Sequence, residues 1–243
     1  MNYTENLKRS SSCCFGGQLT KENLPLYKDY GIELWSIHLP FSKKLDISIL
    51  DDDARNFIIE TNLALIEEAS KHGVKVAVLH PSSEPITDED RPARLRRSKE
   101  AIITLRKQCD KFGMTLAVEN LPRTCLCNRS AEMIELLKDT GASIVFDTNH
   151  SLVEDNVEFL AALANSGIKI ASLHISDFDG IDERHRLPGE GINKWNELFA
   201  ILEKVGYSGP MMYEVPKKPK TVENEYTYEM LKENQTKLAN GEI

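Results

Sequence analysis

Six short apolar runs in the sequence end on a side chain that can bind a metal ion or transfer a proton. In chain order, these side chains are His38, His80, Glu119, Asp147, His174 and Glu214. Successive members lie 27 to 42 residues apart, which suits strand–helix units of about 30 residues or more. The carboxyl ends of barrel strands converge on one mouth, so the pattern predicts that all six side chains meet at a single site.

The runs are typical of parallel strands buried on both faces, because they are continuously apolar rather than alternating. They are IELWSIH (32–38), VKVAVLH (74–80), MTLAVEN (114–120), SIVFD (143–147), IKIASLH (168–174) and PMMYEV (210–215). Helical patterns that close on a glycine lie between them, which predicts an α/β fold with a parallel sheet. A (β/α)8 TIM barrel fits better than a doubly wound sheet, whose strand ends spread along a line.

The segment ASLHISDFDGIDERHRLPGEG (171–191) adds further titratable groups to this mouth. It continues from the strand that carries His174 into a loop with Glu183, His185 and Arg186. Solvated loop charge explains part of this density, but the strand position of His174 indicates that the loop belongs to the same site. Arg123, in ENLPRT, follows its strand end closely enough to contact an anionic substrate.

Composition excludes several classes of protein. The chain has 243 residues, 41% hydrophobic and 28% charged, and no apolar run reaches the length of about 18 residues that a membrane span needs. The net charge of −8 disfavours nucleic acid as a partner, since phosphate binding normally requires a basic face. The five cysteines are scattered apart from Cys13–Cys14 and Cys125–Leu126–Cys127, and the N-terminus lacks the apolar core of a signal peptide. Both features predict a cytoplasmic protein with reduced thiols.

The motifs at the strand ends resemble those of the xylose-isomerase-like TIM-barrel superfamily. They are LHP (79–81), VENLP (118–122), FDTNH (146–150), LHISD (173–177), ERHRLPGEG (183–191) and YEV (213–215). This superfamily includes sugar and sugar phosphate isomerases and epimerases, inosose dehydratases and isomerases, and the endonuclease IV class of DNA repair enzymes. The resemblance covers roughly residues 30–215.

The resemblance implies two sets of metal ligands. As in the ketose epimerases, Glu119, Asp147, His174 and Glu214 are expected to bind one divalent ion. As in the endonucleases, further ligands are expected to complete a three-zinc cluster. These are His38, His80, His150, Glu183 and His185, where Glu183 replaces the aspartate of the family.

The mixed oxygen and nitrogen donors suit Mn²⁺, Mg²⁺, Co²⁺ or Zn²⁺. Such an ion acidifies the C–H between the carbonyl and hydroxyl of a sugar, and Glu119 and Glu214 can transfer the proton through an enediolate. The favoured function is therefore isomerisation or epimerisation of a sugar or sugar phosphate, with His150, His185 and Arg186 orienting hydroxyls or a phosphate. Two alternatives stay open: a trinuclear zinc phosphoesterase acting on abasic DNA, and a non-catalytic sugar-binding barrel.

The N-terminal part departs from the family pattern. A single barrel domain over residues 1–243 is expected, with a helical segment in 216–243, but only 31 residues precede Ile32. The family has two strands before the equivalent of His38, so the first strand–helix unit is expected to be missing or reduced in residues 1–31. A shortened barrel, a partial chain, and a barrel closed by a partner such as a second copy all stay open.

Overall fold

The computed structural model describes residues 27, 29–31 and 33–243. The strands in this part of the chain are β1 (Ser36–His38), β2 (Val76–Leu79), β3 (Thr115–Glu119), β4 (Ser143–Asp147), β5 (Ile170–Ile175) and β6 (Met211–Tyr213). They lie side by side in chain order, and every neighbouring pair is parallel. Cys13, Cys14 and most of residues 1–31, where the first strand–helix unit is expected to be missing or reduced, lie outside the described residues.

The strands β2 to β5 pack an apolar layer on both sides, as continuous apolar runs predict, whereas the three residues of β1 are only partly buried. The inner layer consists of small and β-branched side chains, among them Val76, Val78, Ala117 and Val145. The outer layer is the larger core, in which strand residues such as Ile144 pack against the helices. Burial on both faces therefore leaves the strand ends as the place where polar side chains of the sheet gather.

The helices alternate with the strands. They are α1 (Asp52–Ser70), α2 (Arg91–Lys111), α3 (Ser130–Leu137), α4 (Asn156–Asn165), α5 (Trp195–Lys204) and α6 (Tyr228–Ala239). Local chemistry sets several ends: the side chain of Asp51 accepts a hydrogen bond from the backbone N–H of Ala54 at the start of α1. Gly113, with φ of 67°, follows the end of α2. Within the expected helical segment 216–243, the helix covers only 228–239.

The sheet curls until its two edge strands meet. The side chain of Ser36 in β1 donates a hydrogen bond to Sδ of Met212 in β6 at 3.6 Å. Within the described residues, the fold is thus a curled six-stranded parallel sheet of the TIM-barrel kind, consistent with the (β/α)8 barrel with a missing or reduced first unit that the sequence predicts. Among these residues, no helix combines the length and apolarity that a membrane crossing requires.

Strand register decides which side chains become neighbours at the mouth. Asp147 lies directly opposite His174 in the pairing of β4 with β5. His174 lies opposite Met212 in the pairing of β5 with β6, and Glu214 follows two residues after Met212. Glu119 ends β3, the strand on the other side of β4. Three consecutive strand pairs therefore direct four polar side chains toward one point.

Candidate active site

Glu119, Asp147, His174 and Glu214 form a compact group at the carboxyl ends of β3 to β6, and their donor atoms all lie within 4.8 Å of one another. Nδ1 of His174 lies 2.8 Å from Glu119 Oε1, 2.8 Å from Glu214 Oε2 and 3.9 Å from Asp147 Oδ2. Glu119, Asp147 and His174 are buried, and Glu214 is partly exposed. One imidazole nitrogen is thus surrounded by three carboxylates.

Asp147 shows that this group fits a divalent cation. Its side chain is fully buried, and Oδ1 accepts a hydrogen bond from the backbone N–H of Asn149. Its other oxygen, Oδ2, is buried and has no hydrogen-bond partner within the described part of the chain. A buried carboxylate oxygen without a partner is costly, and a bound cation would satisfy it. Three carboxylates and one imidazole are also a donor set that divalent metal ions accept.

Glu119 belongs to a second donor group as well. Its Oε2 lies 3.1 Å from Nε2 of His38 and 3.3 Å from Nε2 of His80. The donor atoms of these three residues lie within 4.8 Å of one another. The carboxylate of Glu119 therefore bridges the group around His174 and the two histidines of β1 and β2.

A third donor group consists of His150, Glu183 and His185, again within 4.8 Å. Nε2 of His150 lies 3.0 Å from Glu183 Oε1, and its ring contacts that of His185 edge to face at a centroid distance of 5.9 Å. Nδ1 of His150 also lies 3.7 Å from Glu119 Oε1. The structure thus brings all nine metal ligands predicted from the sequence into three adjoining groups.

Backbone carbonyls orient three of the histidine rings. Because a carbonyl oxygen only accepts, the Nδ1 that contacts it carries the proton, and Nε2 is left without one in the neutral ring. The acceptors are Leu39 for His38 at 2.9 Å, Asn120 for His150 at 2.9 Å and Glu214 for His185 at 3.0 Å. This arrangement is typical of metal-binding histidines, whose second nitrogen is held by a hydrogen bond.

Glu119 and Asp147, the two buried carboxylates, have pKa values that are shifted in opposite directions. Burial disfavours ionisation of Glu119, but the charge and hydrogen bond of His174, together with the other histidines, hold its pKa well below its usual range. Burial raises the pKa of Asp147 well above its usual range, and the charges of Glu214 and Glu119 add to this shift. Repulsion among the three carboxylates therefore mainly disfavours the charged form of Asp147.

The pKa values of His80 and His150 are also shifted in opposite directions. Burial lowers the pKa of His80 to about 4, so its ring is neutral at neutral pH. Burial also disfavours the charged form of His150, but the carboxylates of Asp147 and Glu183 raise its pKa to about 10. A proton on His150 thus offsets part of the negative charge of the mouth.

Arg123 lies at the mouth but forms ion pairs with three carboxylates. Its guanidinium contacts Glu84 at 3.4 Å, Asp182 at 2.5 Å and also Glu183, and so joins three loops. The expected contact with an anionic substrate competes with these three carboxylates. Arg186 donates to Thr221 Oγ1 and to the carbonyl of Glu190, and neither of these residues belongs to a donor group.

Two supporting residues are absent from the site predicted by sequence. The amide of Asn120 bonds both the N–H and the carbonyl of Asp147, and so ties β3 to β4 beside the two carboxylates. Asp177 accepts from the N–H groups of Phe178, Gly189 and Asn193 and from the indole of Trp195. The only sequence signal for Asn120 is its place directly after Glu119 in VENLP.

A curled parallel sheet with carboxylates and imidazoles at its strand ends defines a TIM-barrel protein with a mouth suited to metal ions. The chain belongs to the xylose isomerase-like TIM barrel family, whose model matches residues 18–234. It is 27% identical over 192 residues to an uncharacterized protein of Methanocaldococcus jannaschii, covering 76% of this chain and 65% of that one.

Two further comparisons concern epimerases. The chain is 26% identical over 137 residues to the D-psicose 3-epimerase of Agrobacterium fabrum, covering 54% of this chain and 44% of the relative. The crystal structure of a D-tagatose 3-epimerase-like protein superposes with a TM-score of 0.76 at 24% identity, covering 91% of this chain and 84% of the other. The structural likeness shows the shared fold. The chain spans less than two thirds of the length of both curated relatives.

Proposed function

We propose that the protein is a divalent-metal-dependent isomerase or epimerase that acts on a sugar or a sugar phosphate. The observation that carries the proposal is the group of Glu119, Asp147, His174 and Glu214, in which Oδ2 of Asp147 is buried and has no hydrogen-bond partner among the described residues. The sequence similarity to a D-psicose 3-epimerase supports a sugar as the substrate class.

Glu119 and Glu214 are the proposed acid and base. A divalent ion held by the four-residue group supplies Lewis acidity toward the carbonyl and hydroxyl oxygens of the substrate. Both carboxylates lie 2.8 Å from Nδ1 of His174 and enter the site from different strands. The low pKa of each leaves it ionised and able to accept a proton from the carbon beside the carbonyl, giving an enediolate. Epimerisation then needs a proton delivered to the opposite face by the other glutamate, which takes it up from solvent while the first glutamate releases its own. Return of the proton by the first glutamate to the neighbouring carbon is isomerisation.

A second candidate function is phosphoester cleavage at a three-zinc cluster. The two additional donor groups, His38–His80–Glu119 and His150–Glu183–His185, favour it because each offers three ligand atoms within 4.8 Å. The net charge of −8 opposes abasic DNA as its substrate, since backbone binding relies on positive charge.

Metal content and paired assays distinguish the two candidates. We expect about one Mn, Mg, Co or Zn per chain, conversion of a ketohexose or its phosphate, and no cleavage of abasic DNA. Three zinc ions per chain together with DNA cleavage would favour the phosphoesterase. A protein that binds no ion after incubation with each metal would exclude both.

The variants Glu119→Gln and Glu214→Gln test the acid and base. Each is expected to abolish sugar turnover while the circular dichroism spectrum stays that of the wild type, because glutamine keeps the size of the side chain but cannot transfer the proton. Turnover like that of the wild type in both variants would refute the assigned roles.

A further inference from the structure

Phe41 is an exposed aromatic side chain beside the donor groups. It lies three residues after His38, on the loop that leaves β1, and 53% of its surface is exposed. Its ring centroid lies 4.0 Å from that of His80 and 4.7 Å from that of His38. One part of the ring therefore covers two imidazoles of the site, while the rest is open to solvent.

The backbone fixes the position of this ring. Leu39 is 1% exposed, and its N–H donates to the carbonyl of Val78 at 2.9 Å. Pro40 follows Leu39 and restricts the backbone of both residues. Phe41 thus lies two residues after the buried, hydrogen-bonded Leu39. Its ring therefore loses little additional conformational entropy when a ligand contacts it.

Phe57 provides a contrast within the same chain. Its side chain is 63% exposed on α1, in the outer helical layer. Single exposed apolar residues of this kind are ordinary on protein surfaces. Phe41 differs because it packs on the imidazole rings of His38 and His80, which belong to a partly buried donor group.

We infer that Phe41 is a specificity-determining residue whose ring contacts the apolar C–H face of the sugar, and this inference rests on the proposed function. Ligand sites combine a few polar groups that set orientation with aromatic area that supplies contact. The face of an aromatic ring carries partial negative charge, so it attracts C–H groups and does not favour a phosphate. The carbon skeleton of the sugar therefore lies on the β1 side of the mouth, and a phosphate, where present, lies on the other side.

The test compares Phe41→Ala and Phe41→Tyr with Phe57→Ala on metal-loaded protein. The substrates are a panel of ketohexoses that includes D-psicose and D-tagatose. Phe41→Ala is expected to raise KM about tenfold, which corresponds to a loss of about 1.4 kcal/mol of binding, with kcat within about twofold of the wild type. Phe41→Tyr keeps the ring and is expected to restore KM, and Phe57→Ala is expected to leave it unchanged.

A second readout is independent of turnover. Phe41→Trp in the Glu214→Gln background is expected to change its fluorescence when a ketohexose is added, and Phe57→Trp in the same background is not. An unchanged KM in Phe41→Ala would overturn the inference. A reduced metal content in that variant would also overturn it, because the ring would then support His80 rather than contact the sugar. A wild-type protein that binds and converts no member of the panel would refute the proposed function itself, and the inference with it.

Discussion

Replacing Asp147 with asparagine is expected to stabilise the metal-free protein and to abolish its stabilisation by metal. The asparagine keeps the oxygen that accepts from the backbone N–H of Asn149, and its amide replaces the buried Oδ2, which has no hydrogen-bond partner in residues 33–243. It also removes one negative charge beside Glu119 and Glu214, both of which raise the pKa of Asp147. The substitution thus resembles protonation of the aspartate.

The size of the effect follows from the cost of a buried negative charge, because the asparagine amide occupies the same place without that charge. Removing the charge is worth about 2 kcal/mol, which for a chain of this length corresponds to a rise in Tm of about 4 to 8 °C. In the wild type, a metal ion at about 100 times its Kd adds about 2.7 kcal/mol, or about 5 to 11 °C. Asp147→Asn should therefore have a higher Tm than the wild type without metal and a lower Tm than the wild type with metal.

The dependence on pH provides a further check on the same variant. Because the pKa of Asp147 is raised in the folded state, the charged form destabilises the fold above the ordinary carboxyl range. The advantage of Asp147→Asn should be small near the unfolded-state pKa of about 4, grow as the pH rises, and level off above the raised pKa.

Thermal unfolding after chelation and after reloading with metal measures both effects. Asp88→Asn, at an exposed carboxylate, is the matched control and is expected to follow the wild type. A metal-free Asp147→Asn protein that is less stable than the wild type, or one that still gains stability from metal, would refute the assignment of Asp147 to the cation site.

Three other predictions follow from the supporting structure. Asn120→Ala removes two buried hydrogen bonds to Asp147 and is expected to cost about 1 to 3 kcal/mol of the free energy of unfolding in denaturant titrations; an unchanged midpoint would contradict this. Gly191→Ala places a Cβ against the carbonyl of Phe178 and a carboxylate oxygen and is expected to lower Tm by at least several degrees in calorimetry, whereas a wild-type Tm would show that the loop yields freely. Zinc that binds through His150 must displace its proton, because the pKa of that ring is about 10; affinity should rise with pH, and calorimetry in buffers of different ionisation enthalpy should detect proton release. Binding heats that are independent of the buffer would exclude His150 as a ligand.

Much of the fold and of the site could be predicted from the sequence, because both depend on local patterns. Continuous apolar runs predict strands buried on both faces, and all six predicted strands are present, although only β4 is as long as its run. Since parallel strands share a direction, their carboxyl ends share an edge, so side chains as distant in sequence as His38 and Glu214 could be assigned to one site.

The division of these donors into groups depends on the tertiary structure. Only strand register shows that Asp147 lies opposite His174, and only side-chain packing shows that Glu119 bridges two groups. The role of Arg123 also depends on packing, because Asp182 and Glu183 reach it from a loop about sixty residues later in the chain.

The sequence by itself thus determined which residue types stand at the strand ends and the direction in which those strands run. The three-dimensional structure decided their distances, their charge states and the exposure of Phe41 above the histidines. The physical reason is that hydrophobic periodicity is a local property of the chain. Hydrogen bonds, desolvation and ion pairs among loops instead depend on which distant segments meet after folding.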